Sequence, residues 1–259
     1  MKHIRLLALL FASLSCAAQT KTPYDNFDHK FLSPSLWNPF PACITSNGRE
    51  LECVRRIEDE KLHLANRSFG DRSSNTGLQD GFASIDFVNP NSIKSITTDI
   101  AVRSVEEVPC AVNPGYGGSA IVHARFFNSG TAGDPNDDVV AQVAVGRAAS
   151  DPPGQLTVGT SIGHPSNAIE GQTLGSVPLG TPVTVSLTWD QANQQILVSW
   201  TNKTTQATVS TTLPYALSDS APAAVPLKRM QSNGFPANCT ANQTSVFVDA
   251  FFFNVYVGH

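Results

Sequence analysis

Five side chains carry the chemistry that strand periodicity can gather. In Ile121-Val122-His123-Ala124-Arg125-Phe126, alternation along an extended chain sets His123 and Arg125 on one face. Gln142, in Val140-Ala141-Gln142-Val143, stands opposite an apolar side, and Asp99 and Arg103 share the outer face of Thr98-Asp99-Ile100-Ala101-Val102-Arg103. On neighbouring strands the five would form one polar patch. Its imidazole, guanidiniums, amide and carboxylate can donate to and accept from a ligand. The same residues also suit the solvated face of an antiparallel sheet.

Other chemistries find less support. Asp134, Asn136, Asp137 and Asp138 crowd four oxygen donors into one loop, but the glycine and closing glutamate of an EF-hand loop are missing. A turn whose Asp and Asn side chains bond their own backbone explains them as well. Nucleophile triads are unsupported, and there is no phosphate loop or dinucleotide fingerprint. His29, His63, His164 and His259 show no partner spacing, and no Cys-x-x-Cys pair suggests zinc.

The elements that must position these residues read as strands. Short, β-branched, alternating segments fall at 62–66, 82–88, 95–105, 119–128, 138–147, 155–162, 182–189, 195–201, 205–212 and 245–257, with Leu51 to Leu64 as a strand pair. Turn clusters such as Asn89-Pro90-Asn91 and Asp151-Pro152-Pro153-Gly154 separate them. Val183, Val185, Leu187 and Trp189 share one face of a hairpin whose second arm aligns Ile196, Val198 and Trp200, so both tryptophans read as core. The segment Ser245 to Val257 is too apolar for an edge and should run through a sheet interior. Many strands with Gly/Pro punctuation imply an all-β sandwich or barrel, here one domain over 19–259.

Residues 1–18, MKHIRLLALLFASLSCAA, follow a basic start with a short apolar stretch and small residues, the layout of a secretory signal peptide. A lipoprotein reading would instead acylate Cys16. Cleavage leaves Cys43, Cys53, Cys110 and Cys239, an even number that suits disulfides in an exported chain. Of the three possible pairings, Cys43–Cys53 brackets the turn Ser46-Asn47-Gly48, and Cys110–Cys239 joins two Pro/Gly-rich loops. The expected location is secreted, periplasmic or cell-surface. The 259 residues carry 17 Lys plus Arg against 21 Asp plus Glu, a net charge of -4 that disfavours nucleic acid as partner. No later segment is long and apolar enough to span a membrane, and the sequence leaves the oligomeric state open.

Tyr24-Asp25-Asn26-Phe27-Asp28, followed by Leu32-Ser33-Pro34-Ser35-Leu36-Trp37, resembles the opening of concanavalin A-like jelly-roll domains, a group that includes laminarinase-type glucanases and laminin-G-like modules. Leu62-His63-Leu64, Leu187-Thr188-Trp189-Asp190 and Val248-Asp249-Ala250-Phe251 are similar to further strands of the family. The resemblance implies a two-sheet antiparallel jelly roll. It also implies a structural calcium near the first and last strands, with Asp249 as ligand and Asp25 or Asp28 beside it. The glucanase motif Glu-x-Asp-x-Glu, which would set paired carboxylates for retaining hydrolysis, is missing. Jelly-roll polysaccharide lyases use Arg, Gln, His and Tyr on the concave sheet, but their Gln-x-His and Tyr-x-Lys-x-Gly-x-Tyr segments are missing too. The expectation is a non-catalytic module that binds a polysaccharide or other glycan and requires no cofactor. Polysaccharide cleavage through His123, Arg125 and Gln142 is the enzymatic alternative, and a structural surface or matrix protein is the third.

Overall fold

A computed structural model describes residues 20–38, 43–45, 51–130, 133–165 and 167–259. The expected leader at 1–18, with Cys16, and the turn Ser46-Asn47-Gly48 lie outside the described residues. The strands are β1 (Thr22–Asp25), β2 (Trp37–Asn38), β3 (Cys43–Thr45), β4 (Leu51–Glu58), β5 (Lys61–Phe69), β6 (Gly81–Phe87), β7 (Ser95–Val108) and β8 (Gly117–Asn128). They continue with β9 (Asp138–Ala148), β10 (Gln155–His164), β11 (Asn167–Pro178), β12 (Val183–Asp190), β13 (Gln195–Asn202), β14 (Thr208–Pro214), β15 (Ala221–Phe235) and β16 (Ser245–Gly258). Among the described residues, no helix is long and apolar enough to cross a membrane.

Two antiparallel sheets result. The first runs β14-β13-β12-β7-β16-β5-β4, with β1 also paired to β16; the second runs β11-β10-β9-β8-β15-β6-β2, with β3 also on β6. The chain passes from the first sheet (β5) to the second (β6), back at β7 and across again at β8. It returns to the first sheet at β12, crosses to the second at β15 and comes back at β16. This alternation rolls the two layers together as a jelly-roll sandwich, the architecture the strand pattern implies.

Alternating residues point inward from both sheets. Ile96, Ile100, Val185, Leu187, Val248 and Phe252 meet Ile85, Val122, Val143, Val158, Ile162 and Met230 in one core. Each such side chain contributes roughly 1.5–3 kcal/mol through removal from water. Trp200 is buried, while Trp189 is partly buried against Phe126 and Phe127 and donates to the Tyr215 hydroxyl at 2.6 Å. β16 lies between β7 and β5, in the sheet interior as its apolar sequence requires. Cys43 is bonded to Cys53 and Cys110 to Cys239, the favoured pairing, with Cα–Cα separations of 6.2 and 5.7 Å.

At the N-terminal end, Trp37 packs against Tyr24, Phe27 and Phe87. Its indole Nε1 donates to Asp25 Oδ2 at 2.6 Å, and Asp25 Oδ1 accepts from the Phe27 backbone N–H at 2.7 Å. The aromatic-Asp opening is thus a folding clasp: the carboxylate holds a left-handed turn at Phe27 (φ 58°) and pins the buried indole.

Candidate functional site

The outer face of the second sheet carries a straight polar row. Register aligns Asp86 (β6) with Arg229 (β15), Arg229 with His123 (β8), His123 with Gln142 (β9), and Gln142 with Ser161 (β10). Every one of these residues projects to the same side because side chains in paired strands alternate in phase. Arg229 grips Asp86 bidentately, Nε at 2.6 Å and Nη2 at 3.0 Å. Gln142 Nε2 donates to Ser161 Oγ at 3.1 Å. Arg125, two residues beyond His123, reaches Asp138 Oδ2 at 3.3 Å.

Asp138 has no exposed surface. Burial alone would push its carboxyl up. Donation from Asn128, from the backbone of Val225 and Ala224 and from Arg125 outweighs that and holds it below the usual carboxylate range. Its loop neighbour Asp134 accepts from the Asn136 backbone N–H, so the Asp/Asn cluster is a self-bonded turn leading into β9. His123 is pushed down to about 3, chiefly by burial and then by the positive charge of Arg229, Arg125 and Lys228, while a hydrogen bond with Gln142 pushes weakly the other way. The imidazole is therefore neutral across the physiological range.

A groove of about 390 Å³ opens over the His123–Gln142–Ser161 part of this row, beside Arg229 and Asp86, and is lined by His123, Arg125, Val140, Gln142, Gly163 and His164 among others. Through Gln142 and Ser161 it joins a second hollow of about 410 Å³ over Ala144, Gly159 and Gly171. Through Ala144 and Gly159 that hollow continues into a third of about 280 Å³ ending at Phe235. Small residues floor the trough because a sheet face without large side chains leaves open depth. His123 Nε2, Arg125 Nε and His164 Nδ1 are buried at its first section and have no hydrogen-bond partner among the described residues.

The structure thus brings together His123, Arg125 and Gln142 from the sequence-derived patch, but not Asp99 and Arg103. Both lie on β7 in the opposite sheet, because β7 and β8, neighbours in sequence, are separated by a crossover between layers. Asp99 is buried and accepts from Asn254 at 2.7 Å, with Lys203 and Thr184 also bonded to it. Arg103 covers the Phe251 ring at 4.6 Å and lies 3.7 Å from Asp249. Asp249 in turn meets His63 Nε2 at 2.7 Å, and the other His63 nitrogen faces Glu58 at 3.0 Å.

The expected calcium pair is not assembled either. Asp25 aligns with Val255, six residues along β16 from Asp249, or roughly 20 Å of strand. The Asp25 oxygens are taken by Trp37 and the Phe27 backbone, those of Asp249 by His63 and Arg103, and a guanidinium beside a carboxylate opposes a cation there. Asp28 is exposed and interacts with Asn26 and His29. These residues do not fit the ion.

Sequence reasoning missed Arg229, which completes the row. Pro222 and Pro226 made β15 look like a loop, since proline lacks the ladder N–H. Both prolines sit in or beside a register shift between Pro222 and Leu227, beyond which Lys228 pairs with β8 and Arg229-Met230-Gln231 pairs regularly with both β8 and β6. That tetrapeptide, with alternate residues facing the core, was the available signal.

A scan against protein-family models matches none, and no curated protein matches the sequence. Among solved structures, the chain is similar to winged bean acidic lectin complexed with methyl-alpha-D-galactose, at 10% identity, covering 93% of this chain and 99% of that chain with a TM-score of 0.47. It is also similar to lectin II from Ulex europaeus (12% identity, 87% and 98% covered, TM-score 0.41) and to peanut lectin with a 9mer peptide (13% identity, 93% and 98% covered, TM-score 0.42).

Proposed function

We propose that this is an exported glycan-recognition protein whose ligand lies in the trough on the outer face of the second sheet. The observation that carries the reading is the group of three buried, unpartnered nitrogens, His123 Nε2, Arg125 Nε and His164 Nδ1, around one groove. Leaving a buried polar atom unbonded costs roughly 1–3 kcal/mol, so a ligand rich in hydroxyls gains by supplying the missing bonds. The trough's length across several strands suits an extended oligosaccharide, and Phe235 at its far end offers an apolar surface for a sugar ring. Export rests on the leader-like opening of the sequence and on two disulfide bonds, which persist in oxidising compartments.

The test is a glycan array followed by affinity electrophoresis in polysaccharide gels. At least one glycan should retard the protein, and His123→Ala should weaken binding about tenfold, the worth of one well-made hydrogen bond. Absence of binding to every glycan and polysaccharide tried overturns the proposal.

A further inference from the structure

Each guanidinium on the trough face already has a carboxylate. Arg229 is held by Asp86, Arg125 by Asp138, and Arg147, in the far section, lies 3.6 Å from Glu107. Lys228, the next cation on β15, points the other way: it is 2% exposed, its Nζ donates to the Arg125 backbone carbonyl at 2.6 Å, and it lies over the Phe126 ring at 4.5 Å. Arg55 approaches Asp86 from the first sheet, where its Nη1 donates to the Ser84 carbonyl at 3.4 Å. The trough therefore offers no spare positive charge, and the whole chain is net negative.

The unmet bonding capacity has a definite polarity. Gln142 uses its amide nitrogen on Ser161, so its oxygen is the atom presented to His123. The imidazole nitrogen that meets this oxygen carries the proton. With Nδ1 as the protonated, bonded nitrogen, the unpartnered Nε2 keeps a free lone pair in the groove wall. Two residues on along β8, Arg125 Nε can only donate. A carboxylate or sulfate placed here would meet the lone pair of His123 with its own. A sugar hydroxyl gives its proton to Nε2 and offers its oxygen to the guanidinium.

From this charge pairing and this acceptor–donor pair we infer that the trough selects uncharged glycans and discriminates against uronate-bearing and sulfated ones. The inference rests on the carbohydrate reading above and narrows it to a ligand class.

Quantitative binding should compare neutral polysaccharides (glucans, mannans, galactans) with acidic ones (polygalacturonate, alginate, a sulfated galactan) at one ionic strength. Neutral polymers should bind at least tenfold more tightly. Asp86→Asn, which frees Arg229 of its carboxylate, should raise affinity for the acidic set about tenfold. Should that variant not fold, Val140→Lys, which adds an unpaired cation to the groove wall, serves the same comparison. Equal or tighter binding of acidic polymers by the unmodified protein, or release of unsaturated uronate products from them, overturns this inference and leaves glycan recognition standing. Failure to bind any polymer of either class removes the carbohydrate reading itself, and this one with it.

Discussion

Asp138 spends its two oxygens on four donors, Arg125, Asn128 and the backbone N–H groups of Ala224 and Val225. It ties β9 to the irregular stretch of β15 and orients Arg125 at once. Asp138→Asn replaces one acceptor by a donor and should cost about 1–3 kcal/mol at pH 7. The folded carboxyl sits below its ordinary value, so its contribution is complete above the unfolded value near 3.8 and disappears as pH falls through the lower, folded one. Urea titrations should show the gap between wild type and variant closing as pH falls below the ordinary carboxylate value of 3.8. Lys228 has the opposite sign. Burial pushes its amine down to about 7 from 10.5, so the unfolded chain binds the proton more tightly and wild-type stability rises as pH climbs from 7 towards 10. Lys228→Met should therefore gain roughly 2–4 kcal/mol at pH 7, after loss of the bond to the Arg125 carbonyl, and the gain should vanish near pH 10.5. Chemical denaturation across that range checks it.

Strands vary in how openly the sequence declares them, and the trough depends on the least declared. The hairpin of β12 and β13 is written in strict alternation, and β16 in an apolar run that only an interior position explains. β15 was hidden by its prolines, and β11 by Gly171, Gly175 and a largely polar face, so the sequence yielded His123, Arg125 and Gln142 without Arg229 or the small-residue floor. It misplaced Asp99 and Arg103 for a different reason. Alternation fixes which side of a strand a residue occupies, whereas the layer a strand joins is decided by long-range crossovers. The floor permits a clean perturbation. A side chain added at Gly159 would have only the Gln172 carbonyl near its Cβ, at 3.7 Å. Gly159→Leu should abolish glycan binding with less than about 1 kcal/mol change in stability. At Gly118 a Cβ would lie 2.7 Å from Val105 and 2.8 Å from Val248. Gly118→Ala should cost about 1–3 kcal/mol by overpacking the core. Paired calorimetry and binding measurements separate the two effects.

Across the whole molecule, the Cys110–Cys239 bond closes a loop of 129 residues. In the chain-entropy model such a constraint contributes on the order of 4–5 kcal/mol, so Cys110→Ala with Cys239→Ala should lower the denaturation midpoint markedly while leaving the trough row intact. Thermal melts with and without the double substitution test this. Beyond this crosslink, β16 is flanked by β7 and β5 along most of its length and also carries β1. A ribosome delivering the chain from its beginning must release β5 and β7 well before their shared neighbour exists. Their inner edges wait unzipped, open to stray pairing, until the last strand emerges. Completion of the first sheet thus waits for β16, and truncation before Ser245 would strand the nascent sheet half-made.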